Sequence, residues 1–469
     1  VYTTKKLHLF PSICFQFILI ITKSREEAIM KKIFILTLLG LFLSSYAQIT
    51  PTRVGPVSQY GELITGKNSS GKGQIYGTCD SITDGKEVQV RGMSLYWSLL
   101  DNALDFWSED GVTTMVNSMK IQIVRAAMAT GTEDWSDGKY KGYTADPNTQ
   151  KNYVKKVVEA AIKNDIYVII DWHSHDAHNQ TELAKSFFSE MAELYGEYDN
   201  VIFELYNEPL DIEWSQIKTY ADQVVAAIRN HSDNLIIVGT PKWDQNTNAA
   251  INNEVTDPEN NVAYTFHYYA GSHCFSGQTS WGSNCEGQNA LDAMNAGLSV
   301  FVSEWGTTNA NGGGDPTGDN TGWQNWMNTH KLSWANWSGS KIPEGSAAFT
   351  SGSSPTNLQF STSGNMIKDY LSSNPSSYTT CPDKVSTKVK RPSSEMKIIA
   401  VSEGIRLSTS KSGLVEVDVF DMLGQSVFSA KEYFNQGSYI LPIEKIKAGK
   451  YLVRARTGNQ TQTITFQKR

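Results

Sequence analysis

Eight short runs of apolar, β-branched residues recur along this chain, and they restrict its fold more than any other feature. They are 88–95 (VQVRGMSL), 121–128 (IQIVRAAM), 167–173 (YVIIDWH), 201–208 (VIFELYNE), 236–240 (IIVGT), 262–269 (VAYTFHYY), 299–306 (SVFVSEWG) and 333–338 (SWANWS). Neighbouring runs start roughly 25 to 45 residues apart, which leaves room for a loop and a helix between them. The helices are legible too. Val154, Val157, Val158, Ala161 and Ile162 follow the i, i+3, i+4, i+7, i+8 spacing of a half-buried helix, and Ile217, Tyr220, Ala221, Val224, Val225 and Ile228 repeat it. Strands without a polar face, alternating with helices, predict a parallel sheet covered on its outer side. Eight such units close into an α/β fold of the (β/α)8 barrel type, whereas an open doubly wound sheet usually has fewer strands.

A barrel of this kind carries its reactive groups at the carboxyl ends of its strands. Two glutamates stand there: Glu208 in 201–209 (VIFELYNEP) and Glu304 in 300–306 (VFVSEWG). Facing carboxylates are the equipment for cleaving a glycosidic bond, one as acid and one as nucleophile or base. The tripeptide Asn207-Glu208-Pro209 alone would be a weak signal, but Ser303-Glu304-Trp305-Gly306 three strands later makes it a strong one. The competing reading, two rim charges paired with arginine, explains neither placement.

The 469 residues suffice for such a barrel and an appendage. A net charge of -7 with mixed signs provides no basic patch, which argues against nucleic acid as a partner. With 12 Trp and 21 Tyr the chain has aromatics to spare for stacking on sugar rings. Met30-Lys31-Lys32, the apolar stretch Ile33 to Leu43 and Ser45-Tyr46-Ala47 have the pattern of a signal peptide, too short for a membrane span. Residues 30–47 are therefore expected to be removed on export, and 1–29 to be a leader extension or untranslated sequence read in frame. In an exported protein Cys79, Cys274, Cys285 and Cys381 suggest two disulfides with three possible pairings. Cys274 and Cys285 enclose a short loop and are the natural pair, leaving Cys79 and Cys381 either to join the ends of the catalytic region or to stay free buried thiols.

Residues 48–378 make the expected barrel, with a Gly-rich hairpin between Tyr60 and Lys86 under its floor. Residues 379–395 read as a Ser/Pro/Thr-rich linker. From 396 to 469 the character is all-β: Val415, Val417 and Val419 alternate, Asp421-Met422-Leu423-Gly424 makes a turn, and Val427-Phe428 resumes. Together with Leu441, Gly449-Lys450-Tyr451-Leu452-Val453-Arg454 and the final Gln467-Lys468-Arg469, this small sandwich resembles the sorting domain of type IX secretion cargo. The resemblance implies a protein handed to that secretion machinery and delivered outside, or to the outer surface of, a Gram-negative-type bacterium. A passive or glycan-binding sandwich is the alternative.

The barrel resembles glycoside hydrolase family 5, in particular its bacterial endoglucanases, over roughly residues 56–372. The resemblance is carried by Arg91-Gly92-Met93-Ser94, Val124-Arg125-Ala126-Ala127-Met128, Ile170-Asp171-Trp172-His173, Asn207-Glu208-Pro209, Phe266-His267-Tyr268-Tyr269-Ala270, Val302-Ser303-Glu304-Trp305-Gly306 and Ser333-Trp334-Ala335-Asn336-Trp337-Ser338. It implies a retaining hydrolase with Glu208 as acid/base and Glu304 as nucleophile. Arg125 and Tyr269 would hold Glu304, Asn207 would bond the sugar 2-hydroxyl, and His173 and His267 would orient groups around the reacting sugar. Trp337 would floor that subsite, and Trp243 and Trp97 would serve as platforms to either side. Lys341 and Glu344 would reach sugar hydroxyls. No cofactor is implied, and no H-E-x-x-H spacing supports a metal.

The chain departs from the family in two sugar subsites. Leu95-Tyr96-Trp97 stands where many relatives have Ser-His-Gly, and Ala129 stands where tyrosine is common. The insertion around Cys274–Cys285, with Trp281, adds a wall to the cleft. The expectation is an exported, monomeric endo-β-1,4-glucanase acting on cellulose or mixed-linkage glucan. The rivals are a hydrolase of another β-1,4 backbone, such as mannan or xyloglucan, and a non-catalytic glycan-binding surface protein.

Overall fold

The computed structural model describes residues 49–79, 87–131, 139–277, 283–381, 396–401, 404–409, 413–422, 424–435, 437–441, 446–457 and 460–468. The expected leader, residues 382–395 of the expected linker, and Trp281 lie outside these residues. The chain divides between residues 381 and 382 into two compact units.

In the first unit eight parallel strands close into a barrel in the order β10-β3-β4-β5-β6-β7-β8-β9. They are β3 (Arg91–Leu95), β4 (Ile123–Ala129), β5 (Tyr167–His173), β6 (Val201–Glu204), β7 (Ile236–Val238), β8 (Val262–Tyr269), β9 (Val300–Gly306) and β10 (Trp334–Trp337). Each of the eight apolar runs is one strand. The strands look uniformly apolar in sequence because both faces are buried, but the two faces differ. Val124, Ala126 and Met128 of β4, and Val168, Ile170 and Trp172 of β5, pack outward in the core shared with the helices. The opposite parity fills the lumen. Near the floor it is apolar, with Ile123, Tyr167, Ile169, Ile202, Ile237 and Phe301 in one cluster. Two residues further along the same strands it turns charged, at Arg125, Asp171 and Glu204.

A hairpin of β1 (Leu63–Lys67) and β2 (Gly73–Gly77) closes the floor. Leu63 and Ile75 join the floor cluster, and Ser299 Oγ, just before β9, donates to the Gln74 carbonyl (2.7 Å). Between helices and strands the ends are capped as the sequence dictates. Asp146 accepts the Thr149 N–H at the start of the helix Pro147–Lys163, and Ser108 accepts the Gly111 N–H before Glu109–Met119.

Three expectations change. The fourth strand ends at Glu204, so Glu208 lies in the loop beyond it. Its partner β7 has only three residues, and the last ladder pair is Glu204 with Ile237. The start of the expected linker is tied to the barrel, where Cys381 N–H donates to the Ser58 carbonyl (2.9 Å), and the segment just before it is tied by Asn374 Nδ2, which donates to the Lys120 carbonyl (2.8 Å). Finally, Cys274 and Cys285 are joined (Cα–Cα 5.0 Å), whereas Cys79 and Cys381 are thiols in this structure. They are neighbours all the same, with Cys381 Sγ 3.9 Å from the Cys79 carbonyl oxygen.

The second unit is a sandwich. The sheet β11-β12-β15 (Met396–Val401, Gly404–Thr409, Gly437–Ile440) faces the sheet β14-β13-β16-β17 (Ser426–Phe434, Gly413–Asp421, Gly449–Thr457, Gln460–Lys468). Ile398, Ile405 and Leu407 from one sheet meet Val415, Val417, Val419 and Val453 from the other. Glu416 and Asp418, on the opposite parity of β13, pair with Arg456 and Arg454.

Gly92 in β3 leaves no room for added volume. A Cβ there would overlap the carbonyl oxygen of Ile123 on the paired strand. Gly92→Ala is expected to cost about 1–3 kcal/mol as overpacking, read as a melting midpoint lower by several degrees. An unchanged midpoint would mean that β3 and β4 can separate freely.

Candidate active site

At the open end of the barrel one guanidinium organises the lumen. Arg125 is fully buried. Its Nε donates to Glu204 Oε2 (2.6 Å), one terminal nitrogen to Glu304 Oε2 (2.8 Å), and the other to Asn207 Oδ1 (2.7 Å). The second terminal nitrogen also lies 2.9 Å from Asp171 Oδ2. Only a planar fork of five N–H donors can serve β5, β6, the loop after β6 and β9 at once.

Glu304 is held from both sides, since the Tyr269 hydroxyl donates to its other oxygen, Oε1 (2.8 Å). Its neighbour Ser303 also faces the lumen. Two consecutive residues can do so because the β8–β9 register slips between Thr265 and His267, so that one extra residue of β9 is accommodated there. Ser303 Oγ donates to Glu204 Oε1 (2.5 Å) and meets His267 Nε2 at 2.9 Å.

Glu208 reaches the same lumen from the loop beyond β6. Its backbone is left-handed (φ 48°), an uncommon conformation for a residue with a side chain. Its N–H donates to Asp244 Oδ2 (2.8 Å), its carbonyl meets His175 Nδ1 (2.9 Å), and its Oε1 lies 3.2 Å from His267 Nδ1. The side chain is 17% exposed, so it faces the cleft.

These contacts decide where a proton sits. The Ser303 proton goes to Glu204, so the bond between His267 and Ser303 uses the Nε2 proton. Burial, with the Arg125 charge beside it, holds the His267 pKa well down and the ring neutral. Its Nδ1 is then bare, and the bond to Glu208 requires the proton to be on Glu208. Burial, with the charges of Glu304 and Asp244, pushes Glu208 in the same direction, well above the ordinary carboxyl range. Glu304 is the opposite case: both of its oxygens accept donors. Oxygens of Glu208 and Glu304 and a ring nitrogen of His267 lie within 4.8 Å of one another. Such a trio could in principle ligate a cation. Here Arg125 and Tyr269 already engage Glu304, so the arrangement fits proton transfer beside a nucleophile.

The sugar-facing residues of the sequence analysis gather around this centre. Trp337 stacks parallel to the His173 ring at 5.4 Å, and the Tyr96 ring lies 4.8 Å away on it. Asp171 Oδ2 holds His173 Nδ1 (2.7 Å). Trp97 packs on His173 from the side (5.2 Å). Trp243 is 44% exposed at the rim. Lys341 is engaged elsewhere: its Nζ sits on Asp105 Oδ2 (2.6 Å) and donates to the Ser353 carbonyl (3.2 Å). Glu344 is bonded by the Trp337 side chain and by Ser346 Oγ (2.5 Å), so it fixes the tryptophan. The Cys274–Cys285 loop leaves the carboxyl end of β8 and is tied to it by Tyr269 N–H donating to His273 Nδ1 (2.8 Å).

Reasoning from sequence alone missed Asp171, Glu204, Ser303, His175 and Asp244. For two of them a signal existed. Asp171 shares the parity of Ile169 and His173, and Glu204 that of Ile202, so each had to enter the lumen. Asp244 and His175, in irregular loops, had none.

Residues 81–341 match the cellulase model of glycosyl hydrolase family 5, and residues 392–468 match that of a secretion system C-terminal sorting domain. Endoglucanase Z of Dickeya dadantii is 37% identical over 361 residues, covering 75% of this chain and 75% of that protein. A solved structure from Cytophaga hutchinsonii is 35% identical with a TM-score of 0.58, covering 68% of this chain and 96% of its own. The catalytic domain of a Thermobifida fusca endoglucanase, solved as a variant with cellotetraose bound, is 26% identical with a TM-score of 0.55 and covers 68% of this chain and 100% of its own.

One buried cation, Arg125, faces Asp171, Glu204 and Glu304, so not all of these can be ionised cheaply. Burial pushes Asp171 and Glu204 up to about 7 each, against the pull of Arg125. Acids with a raised folded pKa stabilise the fold below their unfolded pKa, and that contribution is lost as pH rises through the folded value. Unfolding free energy should therefore fall between about pH 4 and pH 7. Asp171→Asn removes one of the titrating groups and should make that fall shallower, by up to about 1.4 kcal/mol per pH unit. Denaturant unfolding across this pH range tests it, and an unchanged slope would contradict it.

Proposed function

The chain belongs to glycoside hydrolase family 5 as an endoglucanase of β-1,4-glucans, and we propose that it cleaves cellulose or mixed-linkage glucan with retention, using Glu208 and Glu304. The observation that carries this reading is the asymmetric pair around Arg125. One carboxylate has donors on both oxygens, and the other has a proton pointed at a bare imidazole nitrogen.

In the first step Glu304 Oε attacks the anomeric carbon as the glycosidic bond breaks. The bonding electrons go to the leaving oxygen, which takes the proton of Glu208. A glycosyl ester on Glu304 results, and the Arg125 and Tyr269 donors that held the carboxylate stay in place as its charge is consumed. Glu208, now a carboxylate, accepts a proton from water as that water attacks the same carbon and releases Glu304. Oxygens of the two carboxyl groups within 4.8 Å of each other support retention. They suit the roughly 5–5.5 Å between carboxyl groups of retaining enzymes and leave no room for the intervening water of an inverting one. With Arg125 holding Asn207 Oδ1, the Nδ2 donor is left to bond the sugar 2-hydroxyl. Trp337, fixed by Glu344 and backed by His173, is the floor of the reacting subsite. Trp243 is the platform on the leaving-group side, and Tyr96 and Trp97 shape the far end. In this reading Lys341 and Glu344 act through the residues that they hold.

The sorting domain indicates secretion to the medium or the cell surface. We assign it that task alone. Residues 49–381 behind a cleavable signal peptide should keep full turnover on soluble glucan when made in a heterologous periplasm, and in its native host the protein cut after residue 381 but keeping its own leader should stay inside the envelope. Loss of turnover in the purified short chain would assign the tail a part in catalysis.

The mechanism is tested by following the anomeric proton of the first product from a cello-oligosaccharide by NMR, beside reducing-sugar release from carboxymethylcellulose and glucomannan. A β product, with faster release from the cellulose derivative, is expected. An α product would overturn the double displacement, and preference for glucomannan would move the substrate to another β-1,4 backbone.

A further inference from the structure

The turn after β7 contains three consecutive non-glycine residues in the left-handed region: Lys242 (φ 60°), Trp243 (φ 55°) and Asp244 (φ 60°). Each costs roughly 1–2 kcal/mol relative to ordinary backbone, so something must hold them. The buried carboxylate of Asp244 does so at the near end, where its Oδ1 accepts the Thr240 N–H (2.5 Å). At the other end the turn is zipped to the loop that carries Glu208. Trp243 N–H donates to the Pro209 carbonyl (2.8 Å), and Lys242 N–H to the Leu210 carbonyl (3.1 Å). Asp244 closes the zip, since its Oδ2 accepts the N–H of Glu208, itself left-handed.

We propose that Asp244 is a positioning residue for the cleavage, aiming the Glu208 carboxyl and the Trp243 ring together at the bond that breaks and keeping the Glu208 proton in place. The proposal rests on Glu208 being the acid of the reaction. Its first part follows from the backbone. Without the two N–H bonds to one carboxylate, Glu208 loses the bond that holds its left-handed backbone, and the 242–244 turn is left with its backbone bonds alone, so the aim of both loosens. A general acid displaced by even 1 Å loses much of its effect.

The second part follows from what surrounds the proton. Asp244 Oδ2 lies 3.4 Å from His267 Nδ1, the atom that faces Glu208 Oε1. Other charged or titratable groups near Glu208 are Glu304, Arg125, Asp171 and His175, whose Nδ1 is 3.9 Å from Glu208 Oε2. Burial pushes both acids well above the ordinary carboxyl range, but Asp244 is pulled back by the two amide protons it accepts and Glu208 faces a bare nitrogen, so where the two share one proton it falls to Glu208. The neighbouring charge of Asp244 helps to hold it there. Removing that charge lowers the proton affinity of Glu208, so the acid form is lost at lower pH.

The test uses Asp244→Asn and Asp244→Ala in the full chain, each checked by melting. kcat/KM is measured over pH on cellotetraose and on 2,4-dinitrophenyl β-cellobioside, whose leaving group needs no proton. The proposal expects a fall of about 100-fold or more on cellotetraose, the scale of general acid catalysis, with under about 5-fold on the aryl substrate. The basic limb on cellotetraose should move to lower pH. Equal losses on both substrates with an unmoved limb, or no loss on either, would overturn it; if the Ala variant does not fold, the Asn variant decides alone. Glu208→Gln separates this from the acid assignment. If that variant loses both substrates equally, or neither, the role of Glu208 fails whatever Asp244 does.

Discussion

The pairing of one buried arginine with three carboxylates is the interaction on which the site depends. Arg125 touches Asp171, Glu204 and Glu304 from three different strands. Desolvating those charges is costly, and the pairing compensates only because every donor of the guanidinium is aimed. Removing the arginine would leave several acids in one dry lumen with no cation. A lysine offers one point charge and could not span β5, β6 and β9. The same cation gives the Glu208 and Glu304 carboxyl groups different surroundings. It sits on Glu304 directly, and it reaches the Glu208 side through Asn207 and through Glu204, Ser303 and His267.

The barrel makes this affordable by changing the chemistry along its lumen. Ile123 and Arg125, or Tyr167, Ile169 and Asp171, lie on one face of one strand, apolar at the floor and charged at the mouth. The hairpin β1–β2 keeps water from the lower layer. The slip between β8 and β9 then brings Ser303 and Glu304 into the lumen side by side. Beyond β6 and β7 the order is kept by loops, where Asp244 fastens the segment bearing Glu208 to the turn bearing Trp243.

The eight strands, their order and the meeting of Glu208 and Glu304 in one lumen were legible because apolar runs and strand-end motifs are local signals. So was the pairing of Cys274 with Cys285, which are close in sequence. What escaped was set by three-dimensional parity or by irregular backbone. Glu204 and Asp171 looked like ordinary strand-end residues until the lumen-facing parity singled them out. Glu208 was expected at the end of its strand, but β7 is too short to extend the ladder that far. The contacts of Lys341 with Asp105 and of Glu344 with Trp337 were likewise not legible in the sequence. The tie between residue 381 and Ser58 shows that a Ser/Pro-rich composition does not mark the point where a chain leaves its core.

The account stands on where the protons are, and neutron diffraction from the resting enzyme at neutral to mildly alkaline pD sees them directly. It predicts a deuteron on Glu208 Oε1 directed at His267 Nδ1, a second on His267 Nε2 directed at Ser303, and none on Glu304. A deuteron on His267 Nδ1 with Glu208 bare, or one on Glu304, would contradict the assignment of acid and nucleophile.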